Sequence, residues 1–206
     1  MSESTPLKAL VLVCSLKSSE SPSSSELLAS QVLKEMEQYG VSGTIIRAVD
    51  YDIKPGVETD MGDGDSWPGI RQQMLQSDIL LIATPIWVGH PSSIAQRIIE
   101  RLDAELGEMD DAGRLLTYGK VAAVAVVGNE DGAHKVSADI FQALSDVGFT
   151  IPAAGAVYWV GEAMGKIDYK DLAEAPEKVV QATKSLAANT AHLARLLKRN
   201  VYPPAS

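Results

Sequence analysis

The 206-residue chain predicts a doubly wound α/β sandwich, a parallel sheet with helices on both faces. Three observations carry this. Apolar runs at Leu7–Cys14, Ile79–Ala83 and Val121–Val127 are rich in Val, Ile, Leu and Ala, without apolar–polar alternation, the pattern of strands buried on both faces. Amphipathic helical patterns separate the runs, and such β-α alternation folds by right-handed crossovers onto both sides of a parallel sheet. The chain is 46% hydrophobic, enough for a core, and its length suits one domain over residues 1–206.

The elements follow in order. After the first run, Glu26–Gln38 carries Leu28, Val32, Leu33 and Met36 at helix spacing. Gly43–Val49 has the β-branched content of a second strand. Ser66–Gln76 is a short helix with Ile70, Met74 and Leu75 inward, and Ile79–Ala83 is the third strand. Ser92–Leu106 places Ile94, Ile98, Ile99 and Leu102 on one stripe. Val121–Val127 is the fourth strand, Lys135–Val147 the fourth helix and Ile151–Val160 the fifth strand. A last helix runs from Pro176, a good first-turn residue, to about Lys198. Five parallel strands suggest the flavodoxin-like order 2-1-3-4-5. Two segments exceed what a minimal domain needs: Asp50–Trp67, with six acidic residues, and Gly161–Ala175. Long loops of this kind are usually functional or mobile.

Composition removes several function classes. Lys plus Arg number 18 and Asp plus Glu 27, a net charge of −9, whereas nucleic-acid binding wants a basic footprint. The single cysteine, Cys14, excludes a disulfide framework and any Cys-based metal cluster, and His90, His134 and His192 have no metal spacing. The longest unbroken apolar run, Val121–Val127, is seven residues, against the roughly 18 a membrane helix needs. The polar start, Met1–Pro6, is unlike a signal peptide, so the expectation is a cytoplasmic protein with no nucleic-acid or membrane partner.

In an open α/β sheet, ligands bind beyond the carboxyl ends of the strands where the order reverses, here beside the first and third strands. Three loops reach that point. The first, Ser15–Ser25, has seven serines in eleven residues. It could be a flexible polar linker, or a phosphate cradle in which hydroxyls, backbone N–H groups and a helix dipole meet an anion, with Lys17 adding charge. One helix cap would account for only one or two of the serines. The loop holds no glycine, so it is neither a G-x-G-x-x-G dinucleotide turn nor a triphosphate P-loop. Cys14-Ser15 and Thr84-Pro85 stand where a response-regulator receiver needs acids.

The second loop, Thr84–Ser93, is stiffened by Pro85 and Pro91 and sets Trp87 at the mouth of the sheet, as core, surface cover or an apolar wall for a ring. The third, Gly128-Asn129-Glu130-Asp131-Gly132, reads as a turn with a helix cap, or as a second wall whose glycines admit a ring closely.

Together these loops resemble the NADPH-dependent FMN reductase and flavodoxin-like quinone reductase family over about Leu7–Val160. Ser15-x-Lys17…Ser23-Ser24-Ser25 is similar to its Ser-x-Arg/Lys…Ser-Asn-Thr pattern, with Ser24 and Ser25 replacing the usual Asn and Thr. Thr84-Pro85-Ile86-Trp87 looks like its Thr-Pro-Ile/Glu-Tyr/Trp motif. The resemblance implies non-covalent FMN as cofactor and NADPH or NADH as electron donor. By it, Ser15, Lys17, Ser23, Ser24 and Ser25 would hold the phosphate. Pro85, Ile86, Trp87 and Val88 would line one edge of the flavin ring, and Gly128, Asn129 and Gly132 the other. It implies no catalytic side chain, because the flavin carries the chemistry. It also implies a small-molecule acceptor, such as a quinone or free flavin, and a homodimer or homotetramer. A flavodoxin-type electron carrier is the alternative, favoured by the acidity; a fold-only protein with an empty or regulatory site is a third reading.

Overall fold

The computed structural model describes residues 6–204; the polar start, residues 1–5, and residues 205–206 lie outside the described residues. Strands β1 (Leu7–Val13), β2 (Val41–Arg47), β3 (Ile79–Trp87), β5 (Val121–Gly128) and β6 (Ala156–Val160) form a parallel sheet in the order β2-β1-β3-β5-β6. Without β4 this is the 2-1-3-4-5 order of the flavodoxin-like fold. β4 (His90–Pro91) is a two-residue strand antiparallel to the end of β3.

The lack of alternation in the strands has a direct cause: each face is covered. On one side Leu7, Ala9, Val11 and Val13 of β1 meet helices α1 (Ser24–Glu37) and α5 (Glu177–Arg199). Leu10, Leu12 and Cys14 point the other way, into the core built with α2 (Trp67–Leu75), α3 (Ser93–Leu102) and α4 (Ala133–Asp146). Both rows must be apolar, and each buried Val, Leu or Ile contributes about 1.5–3 kcal/mol. The helices use only one stripe, so their polar periodicity survives, as in α5 with Val179, Leu186, Ala194 and Leu197 buried.

The differences from expectation are local. β3 runs four residues past Ala83, so the first four residues of the expected Thr84–Ser93 loop are strand and a sixth strand, β4, returns against it. Pro85 is tolerated because the carbonyl of Ala83 accepts from Cys14 N. Pro85, two residues on, turns its missing N–H to the same edge, where β1 has already ended. The last strand begins at Ala156 rather than Ile151, since Ala154 adopts φ 53° and the chain turns there. α3 stops at Leu102 and continues as a 3-10 turn, Asp103–Gly107, whose Glu105 is buried against Arg71.

The acidic segment is not a loose loop. Asp65 accepts from the amides of Lys54 (3.2 Å), Met61 (2.9 Å) and Trp67 (3.1 Å) and from Arg101 (2.7 Å). Arg101, fully buried, also donates to the carbonyls of Lys54 and Glu58 and lies 5.7 Å from the Trp67 ring centroid. Six acids thus sit on a segment tied to α3, with its Ile53 and Trp67 packed into the core on the α2–α4 face of the sheet.

Candidate functional site

A cleft of about 620 Å³ opens at the carboxyl edge of the sheet, where β1 and β3 diverge. Of the residues expected at the site, Ser15, Lys17, Ser23, Ser24, Ser25, Pro85, Ile86, Trp87, Gly128 and Asn129 line it. Val88 and Gly132 are not among its lining residues.

The serine loop is a built structure. Ser23 caps α1 by accepting from Glu26 N at 3.3 Å. Ser15 Oγ accepts from Lys17 N at 3.2 Å, and Ser24 Oγ accepts from Lys170 N at 3.2 Å. Each of these hydroxyls has spent a lone pair on a backbone amide and keeps its O–H as a donor. Ser24 and Ser25 lie in the first turn of a 14-residue helix, where backbone N–H groups have no intrahelical partner. The helix dipole adds positive potential there. Lys17 makes no ion pair among the described residues. Behind the loop, Arg47 donates to the carbonyls of Lys17 (3.3 Å), Ser18 and Ser21 (2.7 Å), and its guanidinium also holds Glu26. Asp50 accepts from Ser19 N.

The second wall is the end of β3 with its hairpin. Ser92 locks its root: Ser92 N donates to Thr84 Oγ1, Ser92 Oγ donates to Cys14 O at 2.6 Å, and the same oxygen caps α3 by accepting from Ala95 N. Trp87 is 51% exposed on the rim. The turn that follows explains the two residues outside the cleft. Val88 has φ 53°, uncommon for a β-branched residue, and points to solvent at 86% exposure. Gly132 packs beneath the turn, where a Cβ would stand 3.0 Å from Gly89 Cα, and Glu130 accepts from Gly89 N.

The third wall joins the end of β5 to the segment after β6. Gly128 is required for contact with Ile86, since a Cβ there would approach Ile86 Cβ to 2.9 Å. Asn129 Nδ2 donates to Asp168 (3.0 Å) and Gly165 O, while its buried Oδ1 has no partner. Trp159, Met164, Gly165, Asp168, Tyr169 and Lys170 also line the cleft, and none was a candidate from the sequence. The Trp159 and Tyr169 rings lie 5.5 Å apart, and Tyr169 donates to Gln31 Oε1 of α1 at 2.6 Å. Asp168-Tyr169-Lys170 therefore straps loop one to loop three. The available signal was the excess length of Gly161–Ala175; no motif marks its residues.

The electrostatics favour an anion at one end only. The carboxylates of Asp168 and Asp171 hold the Lys170 ammonium above its ordinary range. Burial pushes the Cys14 thiol far up, which leaves it a small core residue rather than a nucleophile. Among the described residues no group of three or more His, Cys, Asp or Glu side chains could hold a metal. The arrangement is a hydroxyl- and amide-lined anion end joined to an apolar end formed by Ile86, Trp87, Trp159 and Met164.

The comparisons with known proteins agree with this layout. The chain is 33% identical over 209 residues to 8-demethyl-8-aminoriboflavin-5'-phosphate synthase of Streptomyces davaonensis, covering 95% of this chain and 80% of the relative. It is also 33% identical over 199 residues to the divalent metal cation transporter MntH of Mycobacterium bovis, but spans only 29% of that protein. The structure of RosB with bound 8-demethyl-8-formylriboflavin-5'-phosphate superposes with a TM-score of 0.86 at 32% identity, covering 95% of this chain and 82% of RosB. The sequence pattern of the NADPH-dependent FMN reductases matches residues 7–164, and the chain belongs to that family.

Proposed function

We propose that the cleft holds FMN and that the protein is an oxidoreductase drawing on NADPH or NADH and delivering to a quinone, a free flavin or a similar acceptor. The observation that carries this is the serine cradle at the α1 N-terminus, opening into a cleft whose far end is apolar. The residues fit the group. Ser15, Ser23 and Ser24 each retain an O–H donor, and Ser25 and Lys17 complete a phosphate site. Pro85, Ile86 and Trp87 offer an apolar edge, and the partnerless Asn129 Oδ1 suits an N–H donor such as the flavin imide. Held by these residues, FMN would supply the redox chemistry, hydride acceptance from a reduced nicotinamide and onward electron transfer. The chain's part is to bind, orient and shield: no side chain in the cleft needs to move a proton. The exposed Trp87, Val88 and Met164 around the mouth are the surface a second copy would cover in a homodimer or homotetramer.

A second reading has one observation behind it, the likeness to an aminoriboflavin phosphate synthase. In that reading FMN is substrate rather than resident cofactor. One experiment separates the two. The purified protein is loaded with FMN and mixed anaerobically with NADPH or NADH while the visible spectrum is followed; a second sample is kept in air with an amino donor, because exchanging a ring methyl for an amino group consumes an oxidant and a nitrogen source, and the flavin of both samples is recovered for mass spectrometry. Bleaching near the flavin maximum with unchanged FMN mass supports the oxidoreductase. A changed flavin mass supports the second reading. A protein that takes up no FMN overturns both.

A further inference from the structure

From Ser15 to Ser23 the serine loop has no helix or strand, yet its backbone is held from behind by one side chain. Arg47 ends β2, level with Val13 in the β1–β2 register, so its side chain emerges beside the point where β1 becomes the loop. That side chain is 2% exposed. Nη1, with two N–H groups, donates to the carbonyls of Ser18 and Ser21 and shares a longer contact of 3.3 Å with Lys17 O; Nη2 engages Glu26 in the first turn of α1, and Nε has no partner among the described residues. The planar guanidinium fork suits this task, since a lysine ammonium cannot span both the carbonyls and the carboxylate. Carbonyl oxygens left unengaged behind the cradle would present negative potential to any anion there; Arg47 engages three of them.

We propose that Arg47 is a positioning residue for phosphate recognition, setting the serine loop in its phosphate-accepting shape before any ligand arrives. This rests on the reading of the cleft as an FMN site. Arg47 does not line the cleft, so its effect passes through the loop backbone rather than through contact with ligand. Its removal therefore selects against the phosphate, not against the flavin ring.

The test compares FMN with riboflavin, which lacks the phosphate. Flavin fluorescence titrations are run on the parent protein, Arg47→Lys and Arg47→Met. FMN affinity should fall about ten- to a hundredfold in both variants, the loss expected for a charged hydrogen bond, while riboflavin affinity holds. An equal loss for both flavins, or full FMN affinity in Arg47→Lys, overturns the inference and leaves the FMN site standing. A parent protein that binds neither flavin overturns the site itself. Hydrogen exchange on the ligand-free parent serves if the variants do not fold. Slow exchange at Ser19 and Ser21, whose amides are bonded to Asp50 and to Ser18 O, supports a preset loop; fast exchange there that slows only with FMN overturns it.

Discussion

Two irregular segments of this molecule are built with the same device and differ in what it leaves free. The serine loop Ser15–Ser25 and the acidic segment Asp50–Trp67 each wrap around one buried arginine that donates to backbone carbonyls and pairs with a carboxylate. Around Arg101 the segment closes on itself. The Asp65 side chain is fully buried and takes four donors, and every nitrogen of the Arg101 guanidinium also has a partner, so this ion pair is satisfied within the segment. Around Arg47 the carboxylate, Glu26, is 36% exposed, and the loop's hydroxyls keep their protons for something else. A closed polar network holds a chain segment in place; a network satisfied only from behind presents a binding face.

The largest test of this contrast is Arg101→Met. It leaves the buried Asp65 carboxylate unpaired and should cost about 3–5 kcal/mol in denaturant unfolding. FMN affinity of the folded fraction should stay the same; a matching loss of FMN affinity would erase the distinction between the segments. A smaller effect is expected with acid. Burial opposes ionisation of Asp65, but the Met61 amide, Arg101 and the Trp67 and Lys54 amides outweigh it and bring its pKa to about 2. The folded state thus holds its proton less tightly than the unfolded chain does. The associated stability, about 2 kcal/mol, is present above pH 4 and is lost as pH falls from about 4 toward 2. Asp65→Asn should flatten that limb of the stability profile, and an unchanged limb would assign the acid sensitivity elsewhere. The smallest effect belongs to Ser24→Ala. Loss of the acceptor for Lys170 N should cost about 1 kcal/mol and weaken FMN binding several-fold, with riboflavin binding little altered. Equal weakening of both flavins would mean that the hydroxyl serves the strap and not the phosphate.

Much of the fold was legible because burial on both faces leaves a strong local mark. Val121–Val127 and Ile79–Ala83 could be placed to the residue at their starts, and helix ends moved by only a few residues. What misled was local punctuation. Pro85 and Gly89 read as a loop, but the neighbouring strand stops where Pro85 would need a partner, so β3 continues. Gly132 read as a ring contact, but its open side faces Gly89. The residues that the three loops bring to the cleft are mostly the ones their positions suggested. Trp159, Asp168, Tyr169 and Lys170 were not visible, because their partners Gln31, Ser24 and Asn129 lie far away along the chain.

The sequence by itself therefore determined the layering, the strand order and the edge of the sheet where the cleft opens, since hydrophobic period and loop position are local properties. Only the tertiary structure decided which polar groups are spent and which are free. Arg47 and Arg101 read alike in the sequence, and so do the serines. Their roles depend on hydrogen bonds between segments that meet only when the sheet has formed.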